Sequence, residues 1–247
     1  MHSEYRRIVP GAKKAVLFVH GINATPRFFD EYAAALPADV SVHNLLLPGH
    51  GGSVRDFGRH SAAEWESHVR AALDDLRKSH EQVYIVAHSL GTLLAIREAA
   101  RDESRIAGML LLCVPLRIWS RPTAWWGKLA KGLGGKAAQE ELRTCYGTEV
   151  DWRVWRYIGW IPRYLELFRL SKEARQVVRR VNVPVRVFMA GKDEQVSRRS
   201  EKCMAGHPSI TISRMENSSH HIFTQEDKAA IRAALLDMCG AAEQGAS

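Results

Sequence analysis

A serine that attacks a carbonyl needs a hydroxyl lifted clear of the backbone, a base within hydrogen-bond reach, and a carboxylate to orient that base. The stretch Val83-Tyr-Ile-Val-Ala-His-Ser-Leu-Gly91 supplies the first of these. It is a β-rich apolar run that ends in Ala87-His88-Ser89-Leu90-Gly91 and passes at once into a helical pattern with Leu93, Leu94 and Ile96 among small residues. Small residues two positions either side of Ser89 permit a turn so tight that the serine is pushed out of the sheet edge. The helix N-terminus and the next backbone N–H then face the same spot. This is a nucleophile elbow. Its usual form begins with Gly, and Ala87 stands there in this chain, a residue that tolerates φ > 0 less readily. The five letters are weakly specific alone; the strand-turn-helix setting makes Ser89 the candidate nucleophile rather than a serine buried at a strand end.

An elbow requires a sheet behind it. Short β-rich apolar runs at Ala15 to His20, Val40 to Leu47, Gln82 to Ala87, Ile106 to Val114, Val183 to Ala190 and Ile210 to Met215 alternate with amphipathic helical runs. That rhythm predicts a mainly parallel sheet covered by helices on both faces, and the lack of alternation in several runs fits strands buried on both sides. Ser61-Ala-Ala-Glu64 reads as a capping box ahead of Trp65, Val69, Ala72 and Leu76 at helical spacing, and Thr224-Gln-Glu-Asp227 opens another helix over Ala229 to Met238.

A chain of 247 residues with 46% hydrophobic and 25% charged residues is ordinary globular composition, large enough for one α/β domain without staples. Four scattered cysteines, Cys113, Cys145, Cys203 and Cys239, show neither a disulfide framework nor zinc spacing. No uncharged apolar run approaches the ~18 residues of a membrane span, and Met1 to Pro10 does not read as a signal peptide, so a soluble, cytoplasmic protein is expected. The formal net charge is +8. Residues 115–180 hold 14 Lys+Arg against 6 Asp+Glu and six of the seven Trp, so the whole excess sits in one segment. This segment breaks the strand-helix rhythm and reads as an inserted helical cap over 115–180, with the core formed by 1–114 and 181–247.

Taken together, these motifs resemble the α/β-hydrolase superfamily, and within it the carboxylesterase and monoacylglycerol-lipase-like serine hydrolases. The matches are His20-Gly21 after the first strong strand, Leu47-Pro-Gly-His-Gly51 after the next, and the elbow. Ala190-Gly-Lys-Asp193 after a late strand and Asn217-Ser-Ser-His220 before the last helix complete the set. The resemblance implies an α/β-hydrolase fold with a cap and a nucleophile, acid, histidine order along the chain. Asp193 is the candidate acid, in a turn at a carboxyl strand end, with Glu194 as the fallback. His220 is favoured as base over the adjacent His221, while His43, His60, His68 and His80 read as surface or packing residues. The resemblance assigns an oxyanion hole to the backbone N–H groups of Ile22 and Leu90, and makes His20 a residue that shapes its loop.

Expected chemistry is therefore metal-free acyl transfer to water, with no cofactor: no phosphate-cradling loop, dinucleotide fingerprint or metal-spaced cluster is present. Trp119, Trp125, Trp126 and Trp155 of the cap are candidate contacts for an acyl ester or lipid substrate, or else glue between cap and core. The basic, aromatic segment suits peripheral contact with an anionic lipid surface. Nucleic-acid binding is not expected, since no recognised motif accompanies the charge. Thioesterase, C–C hydrolase or acyltransferase chemistry, or a non-catalytic ligand-binding module, are the alternatives that the same fold allows. Oligomeric state has no signature in the sequence.

Overall fold

The computed structural model describes residues 2–119 and 153–240. Seven strands form one sheet: β1 (Tyr5–Arg7), β2 (Lys14–Val19), β3 (Ser41–Leu45), β4 (Gln82–His88), β5 (Ile106–Leu112), β6 (Val185–Ala190) and β7 (Ile210–Met215). Their spatial order is β1-β3-β2-β4-β5-β6-β7. Only β1 runs antiparallel to its neighbour. This is the mostly parallel sheet that the apolar runs predict, and β2 to β7 are the six predicted strands. The edge strand β1 has no apolar signature because Tyr5 and Arg6 are exposed and it pairs along one side only.

Alternation within each central strand feeds two separate cores. Ala15, Leu17 and Val19 of β2, with Val83, Ile85 and Ala87 of β4, pack beneath α3 (Ala62–Ser79), α4 (Leu90–Arg101) and α5 (Trp160–Val177). Val16, Phe18, Tyr84 and Val86 point the other way, onto α1 (Asp30–Ala35) and α7 (Gln225–Met238). Strands with both faces covered have no polar side to present, which is why they read as continuous apolar runs.

Helix starts follow local hydrogen-bond chemistry. The Ser61–Glu64 box closes as read, with the Ser61 amide 2.6 Å from Glu64 Oε2 and the Glu64 amide 3.4 Å from Ser61 Oγ. Thr224 Oγ1 accepts from the Asp227 amide at 3.2 Å. A further box, Ser53 with Asp56, starts the short α2 (Val54–Arg59) and has no Glu to announce it. The short helix α6 (Arg199–Met204) completes the described set.

Within the basic span 115–180, the described part is not separate from the core. Leu167, Leu170 and Ala174 of α5 are buried in the first core cluster, and Ser171 Oγ donates to the Pro115 carbonyl at 2.6 Å. Trp160 ties the start of α5 to α2, donating from its indole to the Val54 carbonyl at 2.8 Å. Ile161, Leu165 and Phe168 on the opposite face are exposed. Cys113, Cys203 and Cys239 are unpaired, and Cys145 lies outside the described residues. Among the described residues no helix is long and apolar enough to cross a membrane.

Candidate active site

Parallel strands bring their carboxyl ends to one edge, and the loops after β2, β4, β6 and β7 meet there. The connection leaving β2 runs outward to β3, whereas that leaving β4 runs the opposite way to β5, so a crevice opens between the two loops. Gly21 follows β2 and Ser89 follows β4; a Cβ built on Gly21 would stand 3.0 Å from Ser89 Cβ and 2.9 Å from His88 Nδ1.

Ser89 adopts φ +50° and ψ −118°, a conformation that costs a non-glycine residue of order 1–3 kcal/mol and persists only where its surroundings enforce it. The enforcement is visible. Its amide donates to the Leu112 carbonyl at 3.0 Å, and its carbonyl accepts from the Thr92 amide at 2.9 Å and the Thr92 hydroxyl at 2.7 Å. The left-handed torsion falls on Ser89 rather than on Ala87, which stays inside β4 paired with Val19 and Leu111, so alanine at the elbow's first position carries no such strain.

Gly91 is required for a different reason. A Cβ there would lie 2.1 Å from the Val19 carbonyl oxygen and 2.8 Å from that of His20, both backbone atoms of the neighbouring strand end. Gly91→Ala is therefore expected to destabilise the fold by about 3 kcal/mol or more, because α4 must back away from the sheet. Urea unfolding measures this; a loss below about 1 kcal/mol would show that α4 shifts freely.

The loops after β6 and β7 deliver the other two groups. His220 Nε2 lies 2.9 Å from Ser89 Oγ, and His220 Nδ1 lies 2.8 Å from Asp193 Oδ2. With a carboxylate on one side, Nδ1 carries the proton and Nε2 is left to accept from the serine hydroxyl. Asp193 Oδ1 accepts from the Gln195 and Val196 amides, each at 2.8 Å. Burial alone would raise its pKa, but His220 and these backbone donors outweigh burial and hold the carboxyl below the ordinary aspartate value. Glu194 does not reach the His220 ring; its carboxylate lies 3.4 Å from the His220 amide. His221 turns aside, its Nε2 3.1 Å from Gln195 Nε2.

His88, inside the elbow, has a role that its sequence position does not disclose. Its ring is fully buried, stacks on Phe28 at 4.2 Å, and donates from Nε2 to the His220 carbonyl at 2.9 Å. It thereby ties the elbow to the histidine loop. Burial and the adjacent His220 push its pKa down to about 3, so it serves as a neutral donor at ordinary pH. The contact spans 132 positions of sequence, beyond any local pattern.

The loop after β2 is tied to α5. Asn23, at φ +56°, donates from Nδ2 to Tyr164 Oη at 2.9 Å. Among the described residues, one group of potential metal ligands occurs, His88, Cys113 and His220, with ligand atoms within 4.8 Å of one another. Both nitrogens of His220 and the Nε2 of His88 are already engaged as described.

Of the cap aromatics, Trp119 and Trp155 are exposed, and the Trp119 amide donates to the Gln195 carbonyl at 2.8 Å, beside the Asp193 turn. Trp125 and Trp126 lie outside the described residues. Trp160, by contrast, is glue, its ring edge-on to Phe57 at 4.8 Å. His43, His60 and His80 bond to Glu4, Glu64 and Ser41 respectively, away from the crevice.

Comparisons with known proteins agree with this architecture. Residues 16–234 match the family model described as the alpha/beta hydrolase family. A pimeloyl-[acyl-carrier protein] methyl ester esterase of Neisseria meningitidis is 26% identical over 210 residues, 76% of this chain and 78% of that protein. Among solved structures, a metagenome-derived lipolytic enzyme superposes with a TM-score of 0.74 at 18% identity, covering 96% of this chain and 97% of that one. A monoacylglycerol lipase from Paleococcus ferrophilus gives a TM-score of 0.67 at 18% identity over 96% of this chain and 99% of that chain.

Proposed function

The chain belongs to the alpha/beta hydrolase family, and from that premise we propose that it is a serine hydrolase that cleaves carboxylic esters through an acyl-enzyme. The observation that carries this reading is the continuous chain from Ser89 Oγ to His220 at 2.9 Å and from His220 to Asp193 at 2.8 Å, behind a serine held at φ +50°.

His220 Nε2 takes the proton as Ser89 Oγ bonds to the ester carbonyl carbon, and Asp193 stabilises the imidazolium that forms. The carbonyl oxygen becomes an oxyanion, which the Ile22 and Leu90 N–H groups receive. Leu90 is the first residue of α4, where a helix leaves its N–H without an intrahelical acceptor, and the end of the helix dipole favours negative charge there. His220 then gives its proton to the departing alcohol oxygen. Water repeats the sequence: it loses a proton to His220, adds to the acyl carbon, and the acid leaves as Ser89 recovers its hydrogen.

For substrate, monoacylglycerols or short to medium acyl esters fit best, with residues 115–180 as a cap that supplies the acyl pocket and Trp119, Trp125, Trp126 and Trp155 as its contacts. The names of the similar proteins, a pimeloyl-[acyl-carrier protein] methyl ester esterase, a lipolytic enzyme and a monoacylglycerol lipase, support an ester over other acyl bonds. The exposed Ile161, Leu165 and Phe168 with the neighbouring cations Arg169 and Lys172 support peripheral contact with an anionic lipid surface. We place the protein in the cytoplasm, where its free thiols would stay reduced.

The test is kcat/KM over p-nitrophenyl and methyl esters from C2 to C16, monoacylglycerols, and acyl thioesters of matched chain length. Esters are expected to exceed the matched thioesters at least about tenfold, a difference of about 1.4 kcal/mol in transition-state binding. A preference for thioesters of that size would overturn the substrate class while leaving the nucleophile in place.

A further inference from the structure

The oxyanion donor proposed at Ile22 sits in a four-residue turn. The Gly21 carbonyl accepts from the Ala24 amide at 3.2 Å, Asn23 has φ +56°, and Ile22 is not among the residues of positive φ. Left-handed backbone at the third position alone is the type II turn, which suits glycine and which asparagine tolerates. A loop has little packing of its own to fix it, so an N–H that must point at one atom needs both ends of its turn held.

The inner end is held from within. His20 Nδ1 donates to the Gly21 carbonyl at 2.8 Å, and Gly21 lies so near the elbow that a Cβ there would stand 3.0 Å from Ser89 Cβ. The outer end reaches a different element. Asn23 Nδ2 donates to Tyr164 Oη of α5 at 2.9 Å, across 141 positions of sequence. That helix presents a fixed acceptor. On one side of Tyr164 the Trp160 indole donates to the Val54 carbonyl at 2.8 Å; on the other, Glu166 accepts from the Ala62 amide at 2.9 Å, and Leu167 and Leu170 are buried in the core. Burial pushes the Tyr164 pKa up to about 12, so its hydroxyl stays neutral at ordinary pH.

Stability is a poor explanation for this contact. Asn23 is buried, its Oδ1 has no hydrogen-bond partner among the described residues, and its φ costs a residue that carries a Cβ. An amide satisfied at one end, on a left-handed turn, is a local cost retained one residue from the proposed donor.

We infer that Asn23 and Tyr164 are paired positioning residues that brace the turn carrying the Ile22 N–H against α5, and so aim the oxyanion donor. This rests on the serine hydrolase reading above. The pair moves no proton and acts through the backbone between Ile22 and Asn23. Because α5 lies within the basic span 115–180, that span then serves the chemical step as well as the substrate pocket.

Two substitutions cut the tie from opposite ends. Asn23→Gly keeps the turn, since glycine adopts φ +56° freely, and removes the amide; Tyr164→Phe keeps the ring and removes the hydroxyl. Each is expected to lower kcat on a p-nitrophenyl ester by about 10- to 30-fold with KM within about twofold, because an oxyanion contact matters only in the transition state. The double variant falls no further than the slower single variant, as for two groups that make one interaction. Asn23→Gly melts within about 4 °C of the unmutated protein. Retention of kcat within twofold in Asn23→Gly, losses that multiply in the double variant, or losses that follow the melting temperatures would overturn the inference.

A second measurement needs no activity. The Asn23 side-chain amide protons are expected to exchange with solvent at least about tenfold faster in Tyr164→Phe than in the unmutated protein, and equal rates overturn the brace. Ser89→Ala assayed in parallel keeps the two readings apart: turnover retained there refutes the hydrolase mechanism, while the exchange rates still decide whether the turn is tied to α5.

Discussion

Ser89→Ala is expected to lower ester hydrolysis by about 10⁴-fold or more with the fold intact. Only the hydroxyl is lost, and alanine meets the φ of +50° under the same restraints, the Leu112 carbonyl and the Thr92 amide and hydroxyl. What remains is binding and the backbone donors, which give residual catalysis over water but form no acyl-enzyme. Removing the hydroxyl also leaves His220 Nε2 without its partner at 2.9 Å, so the effect includes both nucleophile and proton relay. The measurements are p-nitrophenyl ester turnover, labelling by a fluorophosphonate probe, and thermal unfolding. An unchanged melting curve with lost turnover and lost labelling is the expected pattern. Turnover within tenfold of the unmutated protein would refute Ser89 as the nucleophile.

The second large effect separates two neighbouring histidines. His220→Ala is expected to cost about 10⁴-fold in kcat, since a serine hydroxyl is nearly inert without its base. His221→Ala is expected to cost less than about fivefold, because its Nε2 is turned to Gln195 and the ring stands beside His220 rather than between it and Ser89. Side-by-side kinetics at saturating ester decide the matter. Equal losses would mean that the adjacent ring either holds His220 in place or exchanges roles with it.

How much of this was legible in the residues alone depends on the range of the interaction. The elbow is local: a β-run, two small residues and a helix within about a dozen positions, and the sequence located it. Capping at Ser61 and Thr224 is equally local, and so is the burial of β2 and β4 on both faces. The strand β1 was not legible, because an exposed three-residue edge carries no hydrophobic pattern. The box at Ser53 escaped because Asp56 takes the place where a Glu or Gln is usual. In the span 115–180, charge and tryptophan content marked a change of character in the sequence. They carried no sign that Leu167, Leu170 and Ala174 pack into the same core as the central strands.

What the sequence settled by itself is a parallel α/β framework with a serine on a tight strand-to-helix bend, since residue type and short spacing fix both the burial of a strand and the tightness of a turn. What only the tertiary structure decided is which partners meet that serine. Asp193 and His220 come together, and Glu194 and His221 do not, because distances of 2.8 and 2.9 Å depend on how loops leave β6 and β7. His20 and His88 reach carbonyls through buried rings, and the donors proposed for the oxyanion, at Ile22 and Leu90, are backbone atoms, the same in every residue. Such groups leave no letter in the sequence; their direction is set by packing between strands far apart along the chain.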